Sequence, residues 1–274
     1  MKILISVIFL PFLLISVGNA NEWRLVWADE FNYEGRVDSD KWRYEKGTAR
    51  NNEVGYHTDR LKNVRVEGGV LVIEAHKETY TNEGEVANYT TGSIATKDTE
   101  SFKYGRFEVR AKIPYGKGSH VAAWFRGVNR NEVGYPACGE IDMMEYVGRQ
   151  PDTIHIYNHW GDNNNDRTGI TVGKYTVMKP YDDFHIYAME WDETQIKYFV
   201  DNKQVGTFDL DEAGTGSDNP FRKHQVFFLT YALGGWGWDV DDSTLPQKYE
   251  VDYIRVYKHR ATTSINPVYL LLPK

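Results

Sequence analysis

The chain has 274 residues, of which 14% are aromatic, and it carries a formal net charge of −7 at pH 7. The negative charge and the absence of a basic run argue against nucleic acid as a partner. The single cysteine, Cys138, cannot form an internal disulfide, so packing must stabilise the fold. No histidine-based pair accompanies it, and we interpret it as a small buried residue rather than a nucleophile.

The first twenty residues have the pattern of an export signal. Met1-Lys2 precedes an apolar run, ILISVIFLPFLLISV, which ends in the small residues Gly18-Asn19-Ala20. A basic start, a short apolar core and a small-residue cleavage point are typical of a signal peptide. The run is too short and too close to the start to favour a membrane span. We expect residues 1–20 to be removed and the mature protein to be secreted, into a periplasm or outside the cell. A retained anchor is the alternative.

Short alternating segments fill the rest of the chain, and turn residues separate them. No heptads, internal repeats or long amphipathic helices accompany them, which favours an all-β antiparallel sandwich or barrel. We predict one domain, residues 21–258, and a tail, residues 259–274, without an assigned role. The predicted strands are Val64–Val66, Val70–Ala75, Arg106–Ile113, Val121–Phe125, Ile154–His159, His185–Trp191, Ile196–Val200, Val226–Tyr231 and Val251–Tyr257.

Three carboxylates, Glu140, Asp142 and Glu145, lie within one strand-length segment bounded by glycines, residues 139–148. On a helix they would scatter around the axis. On a regular strand the first two share a face and Glu145 is one residue out of phase. A β-bulge at Met143-Met144 adds one residue and returns Glu145 to that face. The sequence therefore predicts a bulged strand with three acids on one side.

Such a row of acids is unfavourable as structure, because like charges repel and buried carboxylates need partners. One of the three is therefore expected to keep its proton near neutral pH. An ionised carboxylate beside a protonated carboxylic acid is the pair that cleaves a glycosidic bond. The alternative is a solvated acidic strand edge, against which the apolar residues between the acids argue.

The segment GEIDMMEYVG resembles the active-site signature of glycoside hydrolase family 16, and with the preceding PAC it is most similar to the laminarinase (endo-β-1,3-glucanase) branch. The resemblance runs from about Trp27 to Tyr257 and includes WADEFN, NNEVGYHTDR, NVRVEGGVLVIEA, FKYGRFEVRAKIP, DDFHIYAMEW and KYEVDYIRVY. It implies a β-jelly roll with a concave substrate cleft and a retaining, endo-acting hydrolase. By motif position, Glu140 is the nucleophile, Asp142 its support and Glu145 the general acid/base.

The strand before the acidic one bears on the substrate. Alternation puts His120, Trp124 and Arg126 on one face, and the resemblance places Trp124 on the cleft floor. Laminarinases usually carry Trp-Pro where this chain has His120-Val121, and Leu in place of Arg126. An arginine in a sugar cleft suits a sulfate or carboxylate. An arginine that merely pairs with a nearby acid is the alternative.

The resemblance also suggests further substrate-binding residues. It places His159 in the cleft near the acid/base, and Asn52 and Tyr56 in a loop on the non-reducing side of the substrate. Trp236 is a candidate stacking platform. Thr230 stands where the family usually has asparagine.

No redox or organic cofactor is required by this chemistry. Family members often hold a structural calcium ion away from the cleft, and Glu30, Gly69 and Asp252 are the matching candidates here. The acidic run at residues 161–166 lacks the spacing and closing Glu of an EF-hand, so we expect a solvated loop.

Two substrates remain open for a monomeric hydrolase. The overall resemblance favours laminarin or another β-1,3- or mixed-linkage glucan. Arg126, His120 and Thr230 favour a sulfated galactan of the carrageenan, furcellaran or porphyran type. A non-catalytic carbohydrate-binding protein and a transglycosylase are further alternatives, although a binding module has no need of three mutually repelling acids.

Overall fold

The computed structural model describes residues 23–48, 52–161, 167–177 and 179–259. The predicted signal peptide, nearly all of the predicted tail and most of the acidic run at 161–166 lie outside these residues. No helix in the described part of the chain is both long and apolar enough to cross a membrane.

The described residues form seventeen strands, one short helix, α1 (Arg130–Val133), and a few 3₁₀ turns. The strands are β1 (Trp23–Asp29), β2 (Arg43–Glu45), β3 (Gly47–Thr48), β4 (Gly55–His57), β5 (Val64–Glu67), β6 (Val70–Asn82), β7 (Glu85–Ala95), β8 (Gly105–Lys112), β9 (Ser119–Gly127), β10 (Glu140–Val147), β11 (Thr153–Gly161), β12 (Arg167–Thr176), β13 (His185–Trp191), β14 (Gln195–Val200), β15 (Lys203–Asp209), β16 (Gln225–Leu233) and β17 (Gln247–His259). Every predicted strand is present, so the all-β prediction is confirmed.

The strands form two antiparallel layers. One layer runs β1-β17-β8-β13-β14-β15, with β6 and β5 added through β17. The other layer runs β12-β11-β10-β9-β16-β7-β2. The long β6–β7 hairpin joins the layers, because its strands pair with each other and also with one layer each.

Aromatic side chains fill the space between the layers. Phe107 of β8 meets Phe125 of β9 edge to face at 5.0 Å between ring centroids, and Phe125 meets Phe227 of β16 at 4.8 Å. Burying one such side chain contributes about 1.5–3 kcal/mol. Phe125, Ala123 and Val121 are fully buried, which turns the intervening residues of β9 to the opposite face. The core thereby sets which side chains of β9 face the cleft.

Candidate active site

Strand β10 contains the bulge that the acidic pattern predicts. Against β9, Asp142 lies opposite Trp124, Met144 opposite Ala123 and Glu145 opposite Ala122, so one residue of β10 is extra. The same shift occurs against β11 between Asp142 and Glu145. Met143 and Met144 are both buried in the core. The bulge prediction is confirmed, and the extra residue turns Glu145 to the side of the other two acids.

All three carboxylates of β10 border one open pocket. The pocket draws its walls from β9, β10, β16 and the segment before β4. Its lining residues are Glu53, His120, Ala122, Trp124, Glu140, Asp142, Glu145 and Thr230. Acidic groups dominate this set, which suits a ligand rich in hydroxyl groups.

Asp142, in the centre of the triplet, is buried at 4% exposure. His159 Nε2 lies 3.3 Å from Asp142 Oδ2, so the imidazole supports this carboxylate. His159 was expected near Glu145, but the antiparallel register puts it opposite Glu140 and puts His155 opposite Glu145. The ligand atoms of Glu140, Asp142 and His159 lie within 4.8 Å of one another. We interpret this group as a support for Asp142, because the contact between His159 Nε2 and Asp142 Oδ2 holds that carboxylate directly.

Glu145 has a histidine partner on β9. His120 Nε2 lies 3.0 Å from Glu145 Oε1, and the two side chains are each 13% exposed. Burial alone would lower the pKa of His120, but the hydrogen bond to Glu145 and the charges of Glu145, Glu53 and Glu140 outweigh it and raise this pKa. The ring of Trp236 packs against the same imidazole at right angles, with the ring centroids 5.4 Å apart.

Trp124 is fixed in the pocket wall on two sides. Its indole stacks on Phe228 with centroids 4.3 Å apart and planes 18° apart. Its Nε1 donates to Thr230 Oγ1 at 3.0 Å, and that hydroxyl also lies 2.9 Å from Ser93 Oγ. Ser93 in turn donates to Glu45 at 2.7 Å. The ring is therefore held rigidly where it lines the pocket.

Comparison with known proteins agrees with this geometry. The model of the glycosyl hydrolases family 16 matches residues 50–255, and this range contains the acidic strand and the whole pocket. The chain belongs to glycoside hydrolase family 16. It is therefore a retaining O-glycoside hydrolase, with the antiparallel jelly-roll fold of that family.

The relatives of this family 16 chain include glucanases. It is 38% identical over 252 residues to a β-glucanase of Rhodothermus marinus, covering 87% of this chain and 86% of that protein. It is 36% identical to the solved laminarinase catalytic domain of Thermotoga maritima, with a TM-score of 0.78, covering 87% of this chain and 99% of that domain. It is 37% identical, with a TM-score of 0.80, to a structure from work on endo-acting O-glycanases with which human gut microbiota initiate mucin breakdown, covering 88% and 92% of the two chains.

Arg126 lies beside the aromatic floor of the family 16 cleft. Its guanidinium carbon is 4.8 Å from the centroid of Phe228 and 5.6 Å from that of Trp124. It is also directly opposite Glu140 in the β9–β10 register. A cation over two rings is held in place by cation–π attraction. Arg126 thus belongs to the cleft face, as alternation predicts, next to the strand that carries the three acids.

Trp236 is part of an aromatic cluster that includes His120, the partner of Glu145. Its ring contacts His120, His155 and Tyr157 with centroids 4.9–5.7 Å away. Arg149 Nε donates to the Trp236 carbonyl at 3.0 Å and lies over the ring of Trp238. Trp238 is 58% exposed. Trp236 therefore buttresses the cleft, and Trp238 offers the more accessible ring.

Neither Asn52 nor Tyr56, both expected to bind substrate, lines the pocket that contains the three acids. Tyr56 is buried, accepts a hydrogen bond from Asn82 Nδ2 at 2.9 Å and lines a separate cavity with Tyr80. Asn52 is exposed, with a φ of 59°. Glu53 reaches the catalytic pocket instead, with a side chain only 4% exposed. Sequence reasoning missed Glu53, although it lies inside the quoted NNEVGY motif.

The family implies a structural calcium ion, for which Glu30, Gly69 and Asp252 were the candidates. Arg255 donates from Nε and Nη2 to the two carboxylate oxygens of Glu30, each at 2.8 Å, and these hydrogen bonds lower the pKa of Glu30. Asp252 is paired with Arg110 at 2.7 Å. Arginines thus engage both carboxylate oxygens of Glu30 and one of Asp252, so these two side chains as placed do not fit a calcium ion. The calcium site stays a prediction without support from these contacts.

Removing the Thr230 hydroxyl tests how firmly the floor of the cleft is held. Thr230→Val is expected to lower the free energy of unfolding by about 1–3 kcal/mol, because Trp124 and Ser93 lose a buried partner. Thr230→Ser keeps the hydroxyl and is the matched control. Urea unfolding of the three proteins measures the effect. Equal stability of the valine variant and the parent protein would contradict this account.

The buried His155 predicts a specific loss of stability in acid. Neither ring nitrogen has a hydrogen-bond partner among the described residues, and burial lowers the pKa of His155 to about 4. In the unfolded chain His155 is protonated below its ordinary pKa of about 6.5. In the folded protein it stays neutral down to about pH 4, so acid stabilises the unfolded state between these two values. The free energy of unfolding should therefore fall by up to about 3 kcal/mol between these two values.

His155→Phe isolates this contribution, because phenylalanine keeps a planar ring and does not titrate. Urea unfolding at pH 7 and at pH 4.5 should show a smaller acid loss in the variant than in the parent. The same loss in both proteins would show that His155 is not the titrating group.

Proposed function

We propose that the protein is a secreted, endo-acting hydrolase of β-1,3-glucan such as laminarin, or of mixed-linkage glucan. The observation that carries this proposal is the bulged strand β10, which turns Glu140, Asp142 and Glu145 into one pocket. The β-glucanase and laminarinase relatives support the choice of glucan. The export of the protein rests on the pattern of residues 1–20.

The proposed mechanism uses the two outer carboxylates. Glu140 attacks the anomeric carbon while Glu145 protonates the departing glycosidic oxygen, which leaves a covalent glycosyl-enzyme. Glu145, now ionised, then takes a proton from water, whose oxygen displaces Glu140 with net retention. Asp142, held by His159 at 3.3 Å, orients Glu140. Trp124 supplies the platform below the sugar.

A second substrate class is a sulfated galactan or a related galactose-containing glycan. The observation that favours it is the guanidinium of Arg126 on the cleft face, together with the similarity to the structure from work on mucin O-glycanases. A fixed guanidinium is a good partner for a sulfate or carboxylate on the substrate. His120 and Thr230, which also favoured this class, have partners within the protein.

Reducing-end release by the purified protein decides between these substrates. The panel is laminarin, mixed-linkage glucan, carrageenan, furcellaran, porphyran and a mucin O-glycan preparation. Release of oligosaccharides from laminarin or mixed-linkage glucan supports the proposal. Release only from a sulfated or mucin-type glycan replaces it with the second class, and binding without release on every substrate replaces it with a carbohydrate-binding protein. Longer oligosaccharides than the starting ones would indicate transglycosylation.

A further inference from the structure

Three groups from distant parts of the chain meet at the carboxyl group of Glu145. His120 is diagonal to Glu145 across β9 and β10, since His120 pairs with Val147 and Ala122 pairs with Glu145. The small side chain of Ala122 leaves room for the imidazole to lean toward Glu145, whose Oε1 lies 3.0 Å from Nε2. The other ring nitrogen, Nδ1, lies 4.0 Å from Glu53 Oε1. The imidazole thus lies between two carboxylates.

We propose that His120 is a positioning residue for Glu145: it fixes that carboxyl group in the cleft and, with Glu53 behind it, shares the catalytic proton with it. This inference rests on the role of Glu145 in the proposed function and adds a partner to it. A carboxylate–histidine–carboxylate series is well suited to this task, because an imidazole can donate from one nitrogen while a second acid stabilises its charge.

The surrounding charges favour a proton on the imidazole. The groups that face His120 are Glu145 and Glu140 from β10, Glu53 from the segment before β4, and His155 from β11. His155 is neutral over most of the pH range, because burial lowers its pKa to about 4. The three acids together raise the pKa of His120 in spite of its burial. The three acids therefore hold a proton on an imidazole whose Nε2 lies 3.0 Å from Glu145 Oε1.

Sharing has a defined consequence for the reaction. When His120 and Glu145 hold one proton between them, that proton lies either on Glu145, ready for the leaving oxygen, or on His120, with Glu145 ionised. The first step of the reaction uses up that proton, and the attacking water returns one to Glu145 in the second step. The imidazole keeps its proton to a higher pH than an ordinary histidine, because its pKa is raised, and it can return that proton to Glu145. His120 therefore extends activity toward alkaline pH.

The test is the pH profile of kcat/KM, which reports groups of the free enzyme. His120→Gln keeps an amide donor near Glu145 but cannot take up a proton. We expect the alkaline limb to move down by about one pH unit. Uniform loss of activity across the profile, with the alkaline limb in place, would overturn the proton-sharing role.

Glu53→Gln provides the matched second variant, since it removes only the outer charge. The alkaline limb should move in the same direction by a smaller amount. In the double variant the shift should equal that of His120→Gln alone, because Glu53 acts through the imidazole. Additive shifts would mean that Glu53 acts on Glu145 independently, and the series proposed here would be wrong.

A measurement without turnover separates this inference from the proposed function. NMR titration of the histidine ring protons, assigned by the resonance that His120→Gln removes, gives the pKa of His120 directly. The wild-type value should lie above about 6.5 and fall in Glu145→Gln and Glu53→Gln. A wild-type value at or below 6.5 would reject the inference even if the enzyme is active. A raised value in a protein inactive on every glycan would sustain the pair and reject the hydrolase.

Discussion

Glu140→Gln should lower kcat by about 10⁴-fold or more on the glycan that the wild type cleaves, because glutamine cannot form the glycosyl ester. Glu145→Gln should lower it by about 10²–10⁴-fold, since only the proton donor is lost. Neither change should disturb the fold, because glutamine matches glutamate in shape. Reducing-sugar release at saturating substrate, together with thermal unfolding of each variant, measures both expectations.

A substrate with an activated leaving group separates the two roles. An aryl glycoside whose leaving phenol needs no protonation should restore the glycosylation step of Glu145→Gln but leave Glu140→Gln inactive. Glu193→Gln is the control, since Glu193 is an exposed carboxylate outside the pocket. If Glu140→Gln turns over at the ordinary rate, Glu140 is not the nucleophile. Equal rescue of both variants would mean that the roles are not divided as described.

Deleting Met143 and Met144 together should abolish activity and destabilise the protein by several kcal/mol. Glu145 would then follow Asp142 directly, so strand alternation would turn Glu145 into the core and Tyr146 into the cleft. A carboxylate forced into the core finds no partner and is strongly unfavourable. Met143→Leu keeps the backbone count and should cost less than about 1.5 kcal/mol while retaining activity.

Activity assays and urea unfolding of the deletion variant and of Met143→Leu separate the effect of strand length from the effect of side-chain packing. An active deletion variant would show that another residue takes over the bulge. Inactivity of Met143→Leu as well would assign the effect to the sulfur-containing side chain instead of the register.

The sequence was sufficient for those features that depend on local spacing. The bulge follows from three acids out of phase by one residue, and the cleft face of β9 follows from simple alternation. Strands β7 and β12 were missed because β7 contains polar Asn, Thr and Ser residues and β12 contains two glycines, so neither shows the alternating apolar pattern of its neighbours. Their pairing with adjacent strands, rather than their composition, defines them as strands.

Contacts between distant segments were beyond sequence reasoning. The meeting of Glu53, His120 and Glu145 requires three elements brought together by the fold. The position of His159 depends on the register of β10 against β11, which residue spacing alone does not fix. In the same way, Arg255 is 225 residues after Glu30 in the sequence, yet it pairs with the carboxylate of this calcium candidate.

The three acids of β10 share a single short strand, whereas the side chains around them come from β9, β16 and the segment before β4. Apart from His120 and Glu53, the groups proposed for the chemistry and those that can select the sugar thus lie on separate pieces of chain. Changes at positions such as 126 and 230 can alter which sugar fits without moving the reacting carboxylates relative to one another. Laboratory evolution toward a new glycan should therefore concentrate its diversity on β16 and on the cleft positions of β9 other than His120, and leave β10 constant.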